Sequence, residues 1–215
     1  MNLENIIRRA LSGAIYITIM WFGASYSKLS FNLLFGIILL VCLYEMYKLR
    51  KGKKKILAYA YVFVPFLLIQ FFGMTDSDYP ESPFDPSIIL LMFILTWTFD
   101  TFAYLVGIQY GKHKIIPYVS PKKSWEGFIG GFLFTIIAAY LSQKIFIHIP
   151  LRDILFVSII LPFTATLGDL IESHYKREAG VKDSGDFIPG HGGLLDRMDA
   201  FTITIPAIYI IVNLL

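Results

Sequence analysis

Seven long apolar runs divide this chain of 215 residues, and they constrain its fold more than any other feature. Each run is close to the length of about 20 residues that an α-helix needs to cross the hydrocarbon core of a bilayer. Charged residues make up only 16% of the sequence and apolar residues 56%, and the mean hydropathy is +0.62; a soluble domain carries about 25% charged residues. The sequence therefore predicts an all-α, polytopic integral membrane protein with about seven transmembrane helices.

The runs group into two parts on either side of an acidic loop that contains proline, residues 75–86. Residues 1–90 form the N-terminal transmembrane helices, with spans predicted at about 11–26, 31–47 and 56–72. Residues 91–215 form a second transmembrane region, which carries the candidate site. Its spans are predicted at about 87–107, 128–143, 154–171 and 200–215, with cytoplasmic loops at 108–127 and 172–199.

The positions of the basic residues predict the orientation. If the N-terminus is cytoplasmic, sixteen of the nineteen Lys and Arg residues fall on cytoplasmic segments, six of them within residues 48–55. Cytoplasmic loops of membrane proteins carry such an excess. We therefore expect the N-terminus in the cytoplasm and interpret Lys51 to Lys55 as a topology signal that also attracts lipid headgroups.

The longest polar stretch of the chain runs from Asp169 to Asp199. It contains seven acids, four bases, two of the four histidines and five glycines. A loop that merely joins two membrane helices needs none of these, whereas a site that binds a metal ion and polyphosphate would use nearly all of them.

Two acidic groups flank this stretch. Asp169 lies near the cytoplasmic end of its predicted span, with Glu172 and Ser173 on the same helical face; an acid at membrane depth is usually functional, although one so near the interface can also cap a helix. Asp196 and Asp199 stand at the entrance to the last helix, where a single acid would serve as a cap. Carboxylates from two helix ends predict a site for a hard divalent cation. Oxygen ligands favour Mg²⁺, and the lack of a cysteine cluster or histidine pair at ligand spacing argues against zinc.

Two further segments have residues suited to phosphate. Pro189-Gly-His-Gly-Gly193 contains glycines that let backbone amides approach an anion, and His191 is a candidate donor; the alternative is a simple turn before a helix. Lys122 and Lys123 stand beside Glu126 in a second polar segment, where a topology signal is the alternative. Acids for a cation, several bases and a glycine-rich loop together suit phosphoryl or nucleotidyl transfer to a substrate dissolved in the membrane.

Four motifs between residues 173 and 199 resemble the signature of the phosphatidate cytidylyltransferase (CDP-diacylglycerol synthase) family. They are Ser173-x-x-Lys-Arg177, Lys182-Asp183-Ser-Gly185, Pro189-Gly-His-Gly-Gly193 and Asp196-Arg-x-Asp199. Asp100-Thr-Phe-Ala-Tyr104 and Ser120-Pro-Lys-Lys-Ser-Trp-Glu-Gly127 also resemble family motifs. The resemblance covers most of residues 97–205, and the first 90 residues resemble the family only as hydrophobic helices.

The resemblance implies the reaction of phospholipid biosynthesis in which CTP and phosphatidic acid give CDP-diacylglycerol and pyrophosphate, with Mg²⁺ required. It implies Asp169 and Asp196 as metal ligands, with Asp199 as a third ligand or an acid behind them. It further implies a set of catalytic and substrate-binding residues: Lys176, Arg177, Ser173, Lys182, Asp183, His191, Gly192, Gly193, Arg197, Asp100, Lys122, Lys123 and Glu126.

The resemblance also implies a second, monovalent cation such as K⁺ and a homodimer. It places the protein in the bilayer of a bacterial inner membrane, with the active site facing the cytoplasm, and no nucleic-acid partner is expected.

Two features depart from the family pattern. Tyr175 stands where an aliphatic residue or Phe is commoner, and the chain is short for a bacterial member, so that N-terminal helices are expected to be missing.

Other functions compete with this interpretation. The alcohol phosphotransferases that consume CDP-diacylglycerol carry Asp-Gly-x-x-Ala-Arg, a run that does not occur here. A CTP-dependent lipid or polyprenol kinase, or a cytidylyltransferase for another lipid such as an archaeal ether lipid, could have a similar site. An ion-coupled transporter could use Asp100 and Asp169 as a relay, but it would need neither the glycine-rich loop nor the bases beside the acids.

Overall fold

The computed structural model describes residues 3–51, 53, 55–72, 84–146 and 148–214. These residues form the helices α1 (Leu3–Ser25), α2 (Lys28–Leu49), α3 (Ile56–Phe72), α4 (Ser87–Tyr110), α5 (Trp125–Ser142), α6 (Leu151–Glu178) and α7 (Leu195–Leu214). Between α4 and α5, the strands β1 (Lys114–Ile116) and β2 (Ser120–Ser124) pair in an antiparallel hairpin. Most of the acidic loop predicted at 75–86 lies outside the described residues.

Within the described part of the chain, α2, α4, α5 and α6 are long and apolar enough to cross a membrane. Two shorter apolar segments, Ala10–Ser25 of α1 and the whole of α3, accompany them. The prediction of a largely helical protein with several membrane-type helices is thus confirmed. The count of seven spans and the orientation stay predictions.

Helix α2 illustrates why these helices suit a bilayer. Its inner face buries Phe31, Phe35 and Cys42, while Leu33 and Leu40 on its outer face are 56% and 68% exposed. A helix that is apolar on every side is typical of a membrane span, because water would solvate its outer face poorly.

Glycines on α5 allow that helix to lie unusually close to α4. A Cβ atom added at Gly127 would lie 2.6 Å from the carbonyl oxygen of Ala103, and one added at Gly131 would lie 2.8 Å from the carbonyl oxygen of Phe99. Small residues at such crossings let membrane helices pack by direct backbone contact. This packing fixes the hairpin, which lies between the two helices in the chain.

The crossing of α6 and α7 depends on Gly168. A Cβ atom at this position would overlap the carbonyl oxygen of Asp199. The hydroxyl of Tyr61, on α3, donates a hydrogen bond of 2.7 Å to the Gly168 carbonyl, and the hydroxyl oxygens of Thr164 and Thr204 lie 2.8 Å apart across the same crossing. Three helices therefore meet beside Asp169.

Helix ends and loops differ from the predicted spans in several places, and α1 already begins at Leu3 rather than at residue 11. Helix α6 continues to Glu178, beyond the predicted span end at residue 171, and α7 begins at Leu195 rather than at residue 200. Hydropathy marks where an apolar run ends, but a helix continues as long as its polar side chains find partners. The predicted loop 108–127 contains the hairpin, because strands of three and five residues are too short to produce a recognisable alternation of polarity.

We predict that Gly168→Ala destabilises the protein by about 1–3 kcal/mol, the usual effect of overpacking. The added methyl group must push α7 away from α6 at Asp199. Thermal unfolding in detergent measures the effect. Gly36→Ala is the matched control, since a Cβ atom there meets nothing within 4 Å; it should be neutral or slightly stabilising. Equal melting temperatures for the two variants would contradict the close contact.

Candidate active site

Three carboxylates converge where α6 meets α7. Asp169 and Glu172 lie one turn apart on α6, Asp199 lies on α7, and one oxygen of each is within 4.8 Å of the others. The close approach of the two helices at Gly168 brings Asp199 into this group. We call these three residues the acid cluster.

The acid cluster has the features of a cation site. Glu172 is fully buried, and no hydrogen-bond donor among the described residues reaches its Oε1 atom. A buried, unpaired carboxylate oxygen is costly, and a divalent cation would satisfy it. Carboxylate oxygens are also the ligands that Mg²⁺ prefers, so the acid cluster fits the predicted ion.

Two lysines from different elements neutralise part of this negative charge. Lys123 on β2 places its Nζ atom 2.6 Å from Oδ2 of Asp169. Lys176, two turns along α6, places its Nζ atom 2.5 Å from Oε2 of Glu172 and 2.6 Å from Oδ1 of Asp196. The hairpin therefore delivers one of the predicted phosphate-binding lysines directly to the acids.

Asp196 occupies a different position from the one predicted for a ligand shared with Asp169. Its Oδ2 atom accepts hydrogen bonds from the backbone N–H groups of Ser184 and Gly193, at 2.9 and 2.8 Å, and contacts the Ser184 hydroxyl at 2.9 Å. Its Oδ1 atom pairs with Lys176. Because one oxygen of Asp196 already holds the loop and the other pairs with Lys176, the geometry favours Asp199 and Glu172, rather than Asp196, as the partners of Asp169.

The glycine-rich segment forms a tight turn next to these acids. The N–H of Ile188 donates to the carbonyl of Gly192, and the N–H of His191 donates to the carbonyl of Ile188, both at 2.9 Å. Gly190 and Gly192 adopt positive φ angles of 77° and 84°, which residues with a side chain rarely adopt. The Arg197 guanidinium donates to the His191 carbonyl at 2.6 Å, so the turn is tied to the first turns of α7.

Three neighbouring cavities in the site region share some of their lining residues. A polar cavity of about 520 Å³ lies over the glycine-rich turn and is lined in part by Lys182, Asp183, His191 and Arg197. A second, of about 370 Å³, shares His191 and Arg197 with it and reaches Asp199 and Asp100. A third, of about 230 Å³, is lined by Asp100, Lys122, Lys123 and mainly apolar residues of α4 and α5.

Three other predicted site residues, Glu126, Arg177 and Ser173, line none of these three cavities. Glu126 accepts hydrogen bonds of 3.2 Å from the backbone N–H groups of Lys112 and His113 and so holds the base of the hairpin. The Arg177 guanidinium donates to the Val181 carbonyl at 2.8 Å, and Ser173 is buried. Glu126 also lines a fourth cavity, of about 780 Å³, together with Lys112, His113 and Lys114, and its role in substrate binding stays a prediction.

The basic segment 48–55, which was interpreted as a topology signal, also makes contacts with the end of α6. Arg50 is buried, pairs with Glu178 at the end of α6 and lies with its guanidinium carbon 5.1 Å from the centre of the Tyr175 ring. The Lys53 ammonium donates to the Glu178 carbonyl. These contacts join the segment to the end of the helix that carries Asp169, whereas Lys54 lies outside the described residues.

Sequence reasoning missed one buried acid. Glu45 on α2 is only 3% exposed and accepts hydrogen bonds from the beginning of α7. The signal was available, since Glu45 interrupts the apolar run 31–47 just as Asp100 and Asp169 interrupt theirs, and an acid within a membrane helix is a candidate functional residue.

Comparison with known proteins connects this site to a family. The profile of the cytidylyltransferase family matches residues 56–215. Proteins named phosphatidate cytidylyltransferase are similar to this chain: that of Staphylococcus epidermidis is 45% identical over 124 residues, which are 57% of this chain and 48% of the relative. That of Thermotoga maritima is 44% identical over 137 residues, 59% of this chain and 49% of the relative. The chain spans about half the length of the curated relatives it matches.

We predict that the purified protein melts at a higher temperature in Mg²⁺ than in EDTA. A ligand that binds only the folded state stabilises that state, by about 2.7 kcal/mol when its concentration is 100 times Kd. Asp199→Asn and Glu172→Gln should each abolish the Mg²⁺-dependent shift. Asp153→Asn, at the opposite end of α6, is the control and should keep it. A shift that survives Asp199→Asn but is lost in Asp196→Asn would restore Asp196 as the partner of Asp169.

Proposed function

Since this chain belongs to the cytidylyltransferase family, we propose that it is a nucleotidyltransferase that converts CTP and phosphatidic acid into CDP-diacylglycerol and pyrophosphate. The observation that carries the proposal is the acid cluster of Asp169, Glu172 and Asp199, with Lys123 and Lys176 paired to it. Asp199 lines the cavity of about 370 Å³ that shares residues with the polar one, and Lys123 lines the largely apolar one. A reaction between a soluble nucleotide and a membrane lipid requires these two kinds of surface side by side.

The polar cavity over the glycine-rich turn is the proposed position of CTP. Lys182, His191 and Arg197 line it, and cationic side chains of this kind stabilise phosphate charge. The cavity and its neighbour have volumes of about 520 and 370 Å³, within the range of about 300–1,000 Å³ that is usual for ligand sites.

The cavity between α4 and α5 is the proposed position of the lipid phosphate. Lys122 and Lys123 line its polar end, and Phe99, Ala103 and Phe128 line its apolar part. An acidic headgroup would meet the lysines there, while its acyl chains would follow the apolar surface toward the bilayer. Asp100 lines both this cavity and the one that contains Asp199, so the two substrates would meet beside the acid cluster.

In the proposed reaction an oxygen of the lipid phosphate forms a bond to the α-phosphorus of CTP, and the bond from that phosphorus to the bridging oxygen of the β-phosphate breaks to release pyrophosphate. Asp169, Glu172 and Asp199 would hold Mg²⁺, which supplies positive charge for the phosphate oxygens. Lys123 and Lys176 add fixed positive charge at the same place, and the cavities align the two substrates, which is most of what such transfers need. The proposal extends to a monovalent cation such as K⁺ beside Mg²⁺ and to a homodimer.

The distribution of basic residues supports a site on the cytoplasmic side of a bacterial inner membrane. The segments that carry the site, 108–127 and 172–199, are among those on which Lys and Arg concentrate, as expected for cytoplasmic segments. This side of the membrane is also where nucleotides are available.

We predict that the purified protein with Mg²⁺ and phosphatidic acid transfers label from [α-³²P]CTP into a chloroform-soluble product, whereas label from [γ-³²P]CTP stays in the aqueous phase as pyrophosphate. Asp169→Asn should lower turnover on the order of 100-fold, a typical effect of removing one group that stabilises charge in the transition state. Asp153→Asn is the matched control and should retain activity.

The same assay separates the competing enzymes. Transfer of the γ-label into lipid would identify a CTP-dependent kinase. A panel of acceptors that includes diacylglycerol, phosphatidic acid and an ether-linked phosphatidic acid would show whether another lipid is preferred. Retention of most activity by Asp169→Asn would contradict the proposed role of the acid cluster.

We predict that the hairpin faces the cytoplasm and that the segment between α5 and α6 faces the opposite side. Tyr118, at the hairpin turn, is 84% exposed, Lys144 is exposed, and the chain contains a single cysteine, Cys42. In a Cys42→Ala background, Tyr118→Cys should react with an impermeant maleimide only in inside-out vesicles and Lys144→Cys only in right-side-out vesicles. The reverse pattern would invert the proposed topology.

A further inference from the structure

Glu45 is a buried acid on α2 that the acid cluster and the cavities described above do not use. Its Oε1 atom accepts a hydrogen bond of 3.0 Å from the backbone N–H of Leu194, and its Oε2 atom accepts one of 2.8 Å from the backbone N–H of Leu195. The Ser184 hydroxyl donates to Oε2 at 2.9 Å. A carboxylate from one helix thus holds the N-terminus of another, whose first N–H groups have no partners within the helix.

The chain around Glu45 fits the carboxylate closely. A Cβ atom added at Gly193 would lie 2.6 Å from Oε2, and one added at Gly185 would lie 2.5 Å from Oε1. Both ends of the segment that carries the glycine-rich turn therefore lie against the same side chain. Substituents larger than hydrogen at either glycine would displace the segment from Glu45.

The contacts of Glu45 continue to the acid cluster. The Ser184 hydroxyl lies 2.9 Å from an oxygen of Glu45 and 2.9 Å from an oxygen of Asp196. Asp196 in turn shares the ammonium group of Lys176 with Glu172. A displacement of the segment at Glu45 would therefore reach both the turn that lines the polar cavity and the lysine beside the acid cluster.

We propose that Glu45 is a positioning residue for the transferase site: it fixes residues 184–195 in the arrangement that binds the nucleotide phosphates. The inference rests on the proposed function for the identity of the nucleotide. It assigns a role in the site to α2, which precedes the region matched by the family profile, residues 56–215. Helix α1 makes a second contact of this kind, since the Ser12 hydroxyl lies 2.9 Å from Nδ1 of His191.

The test compares Glu45→Gln with the wild-type chain. Glutamine keeps the volume but offers one acceptor oxygen, so its NH₂ group must face one of the two N–H donors. At saturating lipid, KM for CTP should rise roughly tenfold, the factor that corresponds to about 1.4 kcal/mol of lost binding free energy. The value of kcat should change much less, because the weakened interaction is equally strong in the ground state and the transition state. Amide exchange measured by mass spectrometry should accelerate in residues 184–195 and stay unchanged in the body of α2.

Two further variants keep the test decisive. Cys42→Ala shortens a buried side chain of α2, one turn before Glu45, and leaves the Glu45 carboxylate in place; it should leave KM for CTP and loop exchange unchanged. Ser184→Ala removes one of the three donors and should act in the same direction as Glu45→Gln but more weakly, and it serves if Glu45→Gln does not fold.

Several outcomes would overturn the proposal. One is unchanged loop exchange in Glu45→Gln, and another is faster loop exchange with an unchanged KM for CTP. A third is faster exchange throughout α2 and α7 together with a higher KM and a much lower kcat, which would indicate a purely structural role. The exchange measurement needs no substrate. Failure of the wild-type chain to use CTP would therefore count against the proposed function, while the loop's dependence on Glu45 would still be measured.

Discussion

The burial of carboxylates where α6 crosses α7 is the constraint on which the rest of this structure depends. Asp169, Glu172 and Asp199 lie within 4.8 Å of one another, and like charges at that separation repel strongly when little water screens them. Lys123 and Lys176 reduce the repulsion from two different elements. The extension of α6 beyond its apolar run and the return of the hairpin toward α6 both serve to place an ammonium group beside an acid.

The need for positive charge beside the buried acids explains the position of the hairpin between α4 and α5. The Lys123 ammonium reaches Asp169 only if β2 is held over α6, and β2 leads directly into α5, whose Gly127 and Gly131 lie against α4. Glu126 ties the base of the hairpin through two backbone N–H groups. Helix packing in the membrane and charge pairing at its surface are therefore parts of one arrangement.

The sequence drew attention to this region because polar residues are conspicuous in an apolar chain, and Asp169 and Asp199, which the structure brings together, were both among the predicted acids. It could not predict which acid on α7 turns toward Asp169. That choice depends on backbone N–H groups of the loop, which engage Asp196 and have no sequence signature. Glu45 was missed for a related reason: its partners are backbone groups about 150 positions away in the chain, a contact that only the folded helices reveal.

The site draws on two parts of the chain that are related to the family in different ways. The motifs, the acid cluster and both lysines lie within the matched region, residues 56–215. The contacts from Ser12 and Glu45 come from helices outside it. Holding a loop requires only an acceptor or donor at the right place, because backbone N–H groups and a histidine ring can be bound by several side chains. For these contacts the first two helices need only present a buried acceptor to the N-terminus of α7 and a hydrogen-bonding group to His191, so the contacts place few demands on the rest of their sequence.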